Sequence, residues 1–507
     1  MAQVSYRANL SAKAFPFISE NFGRSIIVAG QDQNFSRQVV SAEDQDKDIG
    51  IPQLYYCHNV MPHANGWQSI GYINILPAAP AITDFSSIFL IRDGSDNKAY
   101  FGVKSNGDFY ISDGTGAPWV FKQSGVVGKL VTVAYVSGVT YIYVANTGCY
   151  KYNFSTGAFV SVTLTSLTAA NVIGITYSAG YLIAWTSSAV AWSSTTDPTD
   201  FTPSLTTGAG GGAVESARGA ITYLVPHTLG FIVGTADNCI AALYQNNTRY
   251  PFQFREIVNS GGMTSLDLVT WDSNSSSLYA YTTSGLQLIS TSQTQTVFPE
   301  ITDFISGRYF EDFDDTLSTF VTTVLSSPMQ KKLTIVADRY LVMSYGITEL
   351  THAIVFDITL KRYGKLKVTH VQAFTYMLAT AGIQEIPRQS LAFLKKDGSV
   401  QVVDFSIGSP NLNGTLILGK YQYVRSRFLQ LDQIALESVR PTQTFSLKVL
   451  TSLDGKNMVS STPTLSYSSG LAREYSCRAI GLNHSLLCQG GFVLDSLVLN
   501  FNIHGKR

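Results

Sequence analysis

The sequence predicts an all-β protein: a six- or seven-bladed β-propeller followed by a small C-terminal β-sandwich and preceded by an extended N-terminal arm. Three observations lead there. The 507 residues include 28 Phe, 27 Tyr and 41 Gly but only 14% charged residues, against about 25% in an ordinary soluble domain. Aromatic and β-branched side chains fit the pleated surface of strands, and glycine fits tight turns. Short alternating or apolar strands meet Gly, Asn or Asp turns along most of the chain. The same unit then restarts at intervals of roughly 40 to 50 residues, the period of propeller blades.

Taken in order, residues 1–80 are weakly patterned. They hold a polar acidic loop over 41–48 and turn residues around Pro62, Asn65 and Gly66. They are expected to form an arm that pairs with the last blade or a neighbour. Residues 81–411 are the propeller. In its first unit, strand 87–92 turns at Asp93-Gly94-Ser95-Asp96, strand 99–104 returns, Ser105-Asn106-Gly107-Asp108 turns again, and strand 109–112 follows. Asn-Gly and Asp-Gly supply the positive φ that two-residue hairpins need. The pattern restarts at Lys129, Asn171, Arg218, Leu266, Lys332 and across 373–405. A longer gap holds a helical candidate at 299–305, where Ile301, Phe304 and Ile305 share one face. Segment 316–325 fits a helix or a strand. Residues 412–507 change to longer strands (421–436, 444–451, 476–487 and 491–502) around an Asp454-Gly455 turn and a Ser/Thr-rich loop at 460–470. This pattern fits a sandwich.

Composition also excludes functions. Lys plus Arg and Asp plus Glu number 35 each, so the chain lacks the cationic surplus that grips phosphates. Its aromatic content argues against a disordered chain. The five cysteines (Cys57, Cys149, Cys239, Cys477 and Cys488) are far apart with no C-x-x-C pair, so buried thiols are expected rather than a disulfide framework or zinc site. The N-terminus shows no apolar leader, and the longest apolar stretch, 126–145, is broken by Lys129, Ser137 and Gly138. Neither a secretory signal nor a membrane span is therefore expected.

No Walker loop, G-x-S-x-G elbow, H-E-x-x-H pair or dinucleotide fingerprint occurs. No catalytic, cofactor-binding or metal-binding residue is assigned, and a non-enzyme is expected. His58 and His63 stand in a turn-rich region without a third close ligand. Asp93, Asp96 and Asn97 form a loop that could hold calcium, although hairpin geometry accounts for it equally well. Glu311, Asp312, Asp314 and Asp315 could form an acid pair or a cation site, or simply a solvated loop. The glycine run 208–212 lacks the lysine and helix of a phosphate loop and reads as a flexible or close-packed backbone segment. Tyr135, Tyr141, Tyr143, Tyr150 and Tyr152 could stack on sugars, but their alternate spacing reads first as core and cross-strand pairs.

Residues 181–245 carry a pattern that resembles the β-propeller tail hub, or nozzle, proteins of short-tailed bacteriophages. A strand ends in Trp192-Ser193, an acidic-proline turn follows at Asp197-Pro198 with the aromatic Phe201, and a glycine-rich link comes next. An apolar strand from Phe231 to Gly234 then leads to 240–244. The likeness continues as an order of elements through 261–290, 299–305, 353–358 and 447–455, covering roughly residues 85–507. The resemblance implies a virion protein assembled in the host cytoplasm. Such a protein forms a ring, usually six-fold, that extends the DNA-ejection channel and docks adaptor or portal-side proteins and distal tail or fibre proteins. It implies no cofactor and no catalytic residue. A propeller glycosidase or depolymerase using the acidic loops, and a carbohydrate-binding adhesin, are the alternatives.

A channel lining must let DNA slide. Each phosphate-neutralising Lys or Arg would add affinity through counterion release, multiplied around a ring. The basic pairs Lys331-Lys332, Lys361-Arg362 and Lys395-Lys396 sit beside turns. They are expected to cap strands or meet a neighbour, with a lumenal position as the alternative. The purified protein is expected to bind linear double-stranded DNA more weakly than micromolar even at low salt. Tight binding with a steep salt slope, measured by anisotropy, would contradict a passive channel.

Overall fold

The computed structural model describes residues 2–9, 18–21, 24–26, 54–63, 66–76, 84–113, 119–272, 276–298, 309–314, 319–360, 362–378, 388–405, 413–422, 429–436, 444–452, 459–460, 465–468, 474–481, 483–494 and 496–503. Strands dominate them, and all strand pairings within sheets are antiparallel. Five consecutive four-stranded sheets form from local hairpins alone. Their first strands are Phe85–Arg92 in sheet I, Val131–Val136 in sheet II, Gly174–Ser178 in sheet III, Ile221–His227 in sheet IV and Val269–Asp272 in sheet V.

Tight turns set the registers. Ser137 and Gly138 have φ of 47° and 83°, and Ala179 and Gly180 have 51° and 88°. Both pairs thus supply the double positive φ of a type I′ hairpin. Each turn joins the first strand of its sheet to the second, so Val136 faces Val139 and Ser178 faces Tyr181. The second strands are buried runs rather than alternating ones, as in Tyr181–Trp185 and Gly230–Thr235. Both faces of each sheet are covered, so both sides of the strand must be apolar.

The later sheets recruit the N-terminal segment. Sheet VI begins with Gln330–Val336 and continues through Tyr340–Gly346, Leu350–Asp357 and Arg362–His370. It is extended by Val60–His63, Gly66–Ser69 and Val493–Leu494. Sheet VII holds Gln372–Leu378, Arg388–Leu394 and Val400–Asp404, and its fourth strand is Gly71–Leu76. The first strands touch in a closed circle, since Phe85–Arg92 contacts both Val131–Val136 and Gln372–Leu378. The cores lie between neighbouring sheets all the way round. Ile91, Phe101 and Ile142 join I to II, Ile88, Tyr100 and Phe374 join I to VII, and Met61, Val342 and Leu391 join VI to VII.

The two remaining large sheets come from both chain ends. One orders Ala2–Asn9, Ser496–Ile503, Leu429–Leu436 and Glu474–Gly481. The other contains Leu54–His58, Gly414–Gln422, Asn483–Gly491 and Thr444–Ser452. They share one core, in which Leu431 and Ile434 of the first meet Leu416, Leu447 and Cys488 of the second, with Val60 and Trp67 beside them. The segment read as one strand over 421–436 is two, belonging to different sheets. The divisions at 80 and 412 therefore pass between strands of common sheets. The helical candidate 299–305 lies outside the described residues, and 316–325 contains a strand, Thr319–Val324, paired with Tyr309–Asp314.

Each first strand is a sheet edge, whose unpaired backbone groups are costly when buried. Side chains close every junction of the circle. Thr140 Oγ1 accepts from Arg92 N at 2.9 Å and donates to Arg92 O at 2.6 Å, joining I to II. Ile175 N donates to Thr132 Oγ1 at 2.9 Å, joining II to III. Ser178 donates to the carbonyls of His227 (3.2 Å) and Gly230, joining III to IV. His227 Nε2 donates to Ser276 O at 3.1 Å, joining IV to V. Ile335 N donates to Thr270 Oγ1 at 2.8 Å and Ala337 N to Thr375 Oγ1 at 2.9 Å, joining V to VI and VI to VII. Gln372 closes the circle with two bonds to Ile88, N–H to Oε1 and Nε2–H to O, each 3.1 Å.

Thr132→Val keeps the shape of its side chain but leaves the buried Ile175 N–H without its acceptor. The expected loss is about 1–3 kcal/mol in urea unfolding. Thr206→Val, at an exposed site, is expected to change stability by less than about 0.5 kcal/mol.

Candidate functional site

A cavity of about 510 Å³ lies inside the circle. Its walls come from the first strands of five sheets, through Phe89, Val131, Thr270, Thr334 and Gln372 among others. Lys104, Lys129, Lys332 and Asp267 also line it. Lys332 Nζ pairs with Asp267 Oδ1 at 2.8 Å, and the lysine side chain is only 16% exposed. Lys104 ends the second strand of sheet I, and Lys129 precedes the first strand of sheet II. Their loops are held together at Gly107 and Gly125. A Cβ on Gly125 would meet Gly107 O at 1.8 Å, so only glycine permits this approach.

A second cavity, of about 380 Å³, is lined by Glu349, Thr351, His352 and Lys367 of sheet VI among others. Nearby, His370 Nδ1 lies 2.8 Å from Val368 O and Nε2 lies 2.7 Å from Ser344 Oγ. A carbonyl can only accept, so Nδ1 carries the proton of the neutral ring and Ser344 O–H donates to Nε2. Hydroxyl, imidazole and orienting acceptor thus stand in the order of an activated nucleophile. Ser344 and His370 are 3% and 2% exposed, however, which leaves no approach for a substrate. Burial holds His370 down at about 4, against the carbonyl bond that favours its charged form.

The sequence candidates scatter. His58 is buried and the side chain of His63 is not described. Among the described residues, no group of three His, Cys, Asp or Glu side chains is placed to hold a metal. Asp93 is consumed by its own turn. Its Oδ1 accepts from Ser95 N at 2.9 Å and Asn97 N at 3.0 Å, while Oδ2 accepts from Asn97 Nδ2 at 2.7 Å. The Asn97 side-chain bond leads the causes that hold its carboxyl below the ordinary value. Asp96 adopts φ 63° and pairs with Lys98 at 2.9 Å. Glu311, Asp312 and Asp314 lie on the strand Tyr309–Asp314, where Asp312 faces Val321 across the hairpin. Asp315 lies outside the described residues.

The glycine run 208–212 supplies the edge strand Gly210–Ala213 of sheet III. A Cβ on Gly211 would meet Val190 O at 2.7 Å, and Trp192 Nε1 donates to Gly208 O at 2.9 Å. Tyr141 and Tyr143 are buried, Tyr150 and Tyr152 pack edge-on against Phe109 and Phe154, and Arg92 lies over Tyr135 at 3.9 Å. The basic pairs divide. Lys331 sits over Tyr281 at 5.1 Å while Lys332 turns into the central cavity, and Lys396 reaches Glu349 at 3.4 Å. Residues 361–362 have no described side chains. The cavity itself was missed in the sequence, because its residues come from strands up to 286 positions apart, as Ser86 and Gln372 show.

No family model matches the chain, and no curated protein matches it. Among solved structures, it is similar to the extracellular domain of a one component system from B. thetaiotaomicron, with 10% identity and a TM-score of 0.42 over 87% of this chain. The chain spans 61% of that structure. It is also similar to YCF48 from Cyanidioschyzon merolae, with 11% identity and a TM-score of 0.39 over 66% of this chain and 98% of the other. The computationally designed Ika8 protein gives 11% identity and a TM-score of 0.37 over 65% and 99%.

Buried neutral histidines make stability depend on pH. His370 and His484 are both pushed down to about 4 from 6.5 by burial. Between those values the unfolded state binds more protons, so stability is full above about 6.5 and falls as pH drops toward 4. Each contributes up to about 3 kcal/mol across that window. Urea unfolding at pH 7 and pH 4.5 is expected to show the loss, and His370→Gln to flatten the slope.

Proposed function

We propose that this chain is a structural protein that forms a ring by self-association, the hub or nozzle of a short phage tail. In this reading the circle of sheets is a seven-bladed propeller, and the paired sheets from both chain ends form a sandwich beside it. The ring, six-fold by the resemblance, extends a channel through which double-stranded DNA passes without a tight grip. It meets adaptor or portal-side proteins above and distal tail or fibre proteins below.

The observation that carries the reading is how the chain ends are used. Segment 54–76 supplies strands in turn to the C-terminal pair of sheets, to sheet VI and to sheet VII. The propeller cannot open without unpairing its own termini, which suits a rigid part under load. Outward-facing surface is also available for contacts. Val120 and Phe121 on the last strand of sheet I and Val160 on that of sheet II are 50%, 51% and 41% exposed, and those strands touch. Exposed apolar side chains on touching outer strands suit association.

Purified protein imaged by negative stain, with mass photometry alongside, is expected to show closed rings. Phe121→Asp is expected to shift the population to folded monomers. Wild-type protein that stays monomeric at every concentration tested, alone and with portal-side partners, would sink the proposal.

A further inference from the structure

We infer that the central cavity is a binding site for a small polyphosphate-type anion. The chain as a whole is neutral, yet this cavity gathers Lys104, Lys129 and Lys332 against Asp267. Its described lining contains no other Asp, Glu, Arg or His. The surplus is two positive charges, three lysines less one aspartate. Asp267 already spends its charge on Lys332 at 2.8 Å. That pair positions the Lys332 ammonium, which keeps further N–H donors for an anion. Lys104 and Lys129 rise from loops locked together at Gly107 and Gly125.

The rest of the lining suits a polar guest. Ser87 and Ser105 add hydroxyl donors, while Ser86 already donates to Val103 O at 3.0 Å and Gln372 is committed to Ile88, so neither turns to a ligand. Three lysines line this one recess, and Lys332, only 16% exposed, acts on an anion there more strongly than it would in open water, because the local dielectric is lower. The volume of about 510 Å³ admits a short phosphate chain or a nucleotide's phosphates and excludes a duplex. The site is independent of the ring reading, since every group comes from one chain.

The test is calorimetric titration of the full-length protein with sodium tripolyphosphate and with orthophosphate at low ionic strength. Tripolyphosphate is expected to bind more tightly than orthophosphate. Charge-assisted hydrogen bonds lost from the double variant Lys104→Gln/Lys129→Gln should weaken binding roughly ten- to hundred-fold. Asp267→Asn should tighten it or leave it unchanged. Melting curves of the variants report whether each is folded. Absence of any heat with wild-type protein, or binding that the folded lysine variant leaves intact, would overturn the inference. So would a DNA duplex that displaces tripolyphosphate with the same lysine dependence.

Discussion

The structure depends on how the edges of its inner strands are satisfied. A circle of sheets packs face to face, so the first strand of each sheet has no strand partner on its open side, and burial forbids leaving its backbone to water. Thr140, Thr132, Ser178, His227, Thr270, Thr375 and Gln372 answer this in turn, each bonding the backbone of an adjacent sheet. Each bond is worth only about 1 kcal/mol net, but an unmade one costs more than a made one returns. The polar circle therefore holds each sheet against the next in the chain, while the apolar clusters between sheets supply most of the favourable energy. His227 shows how tight the specification is. Its Nδ1 accepts from Leu229 N at 3.0 Å and its Nε2 donates to Ser276, so one neutral tautomer serves both sides.

The second constraint is closure. Sheets I to V are local and form from consecutive hairpins. Sheets VI and VII are not. They need strands from residues 60–76, more than 280 positions away from their partners Lys365 and Val402. Loop-closure entropy for contacts of that separation must be met before they return any energy, so these sheets are expected to form late. Asn59 links the layers at this seam: its Oδ1 accepts from Lys367 N at 2.9 Å and from Tyr72 O–H at 3.0 Å. The same segment touches the C-terminal core through Cys57 and Trp67. The propeller and the two terminal sheets are thereby one fastening.

Electrostatics follows from that geometry. Several ionised groups are taken up by turns and local pairs, as Asp93 and the Lys98–Asp96 pair show. Asp357, fully buried, receives Arg339 Nε and Nη2 at 2.9 and 2.7 Å and the backbone N–H groups of Thr359 and Leu360. The central cavity is different because three strands and loops distant in sequence each bring one lysine to the same space.

The sequence by itself determined the strands, the turns and the repeating unit. Period-two patterning and turn residues act over a few positions, and the first three strands of sheets I to V were legible in that way, whereas the fourth strands Val120–Gln123, Ala158–Val162, Gly210–Ala213, Phe252–Glu256 and Thr294–Thr296 were not. It also identified the Asp93 loop, the tyrosine ladder and the glycine run as candidates with a structural alternative, and their partners lie close in the chain. Ala179, with positive φ beside Gly180, shows a turn that composition alone does not announce. Only the tertiary structure decided that Gly71–Leu76 completes sheet VII, that both chain ends share one core, and that Lys332 faces inward while Lys331 faces Tyr281. The first two outcomes rest on contacts between residues hundreds of positions apart and the lysine placement on partners 50 and 65 positions away, Tyr281 and Asp267, and no local pattern encodes which distant edge a strand will meet.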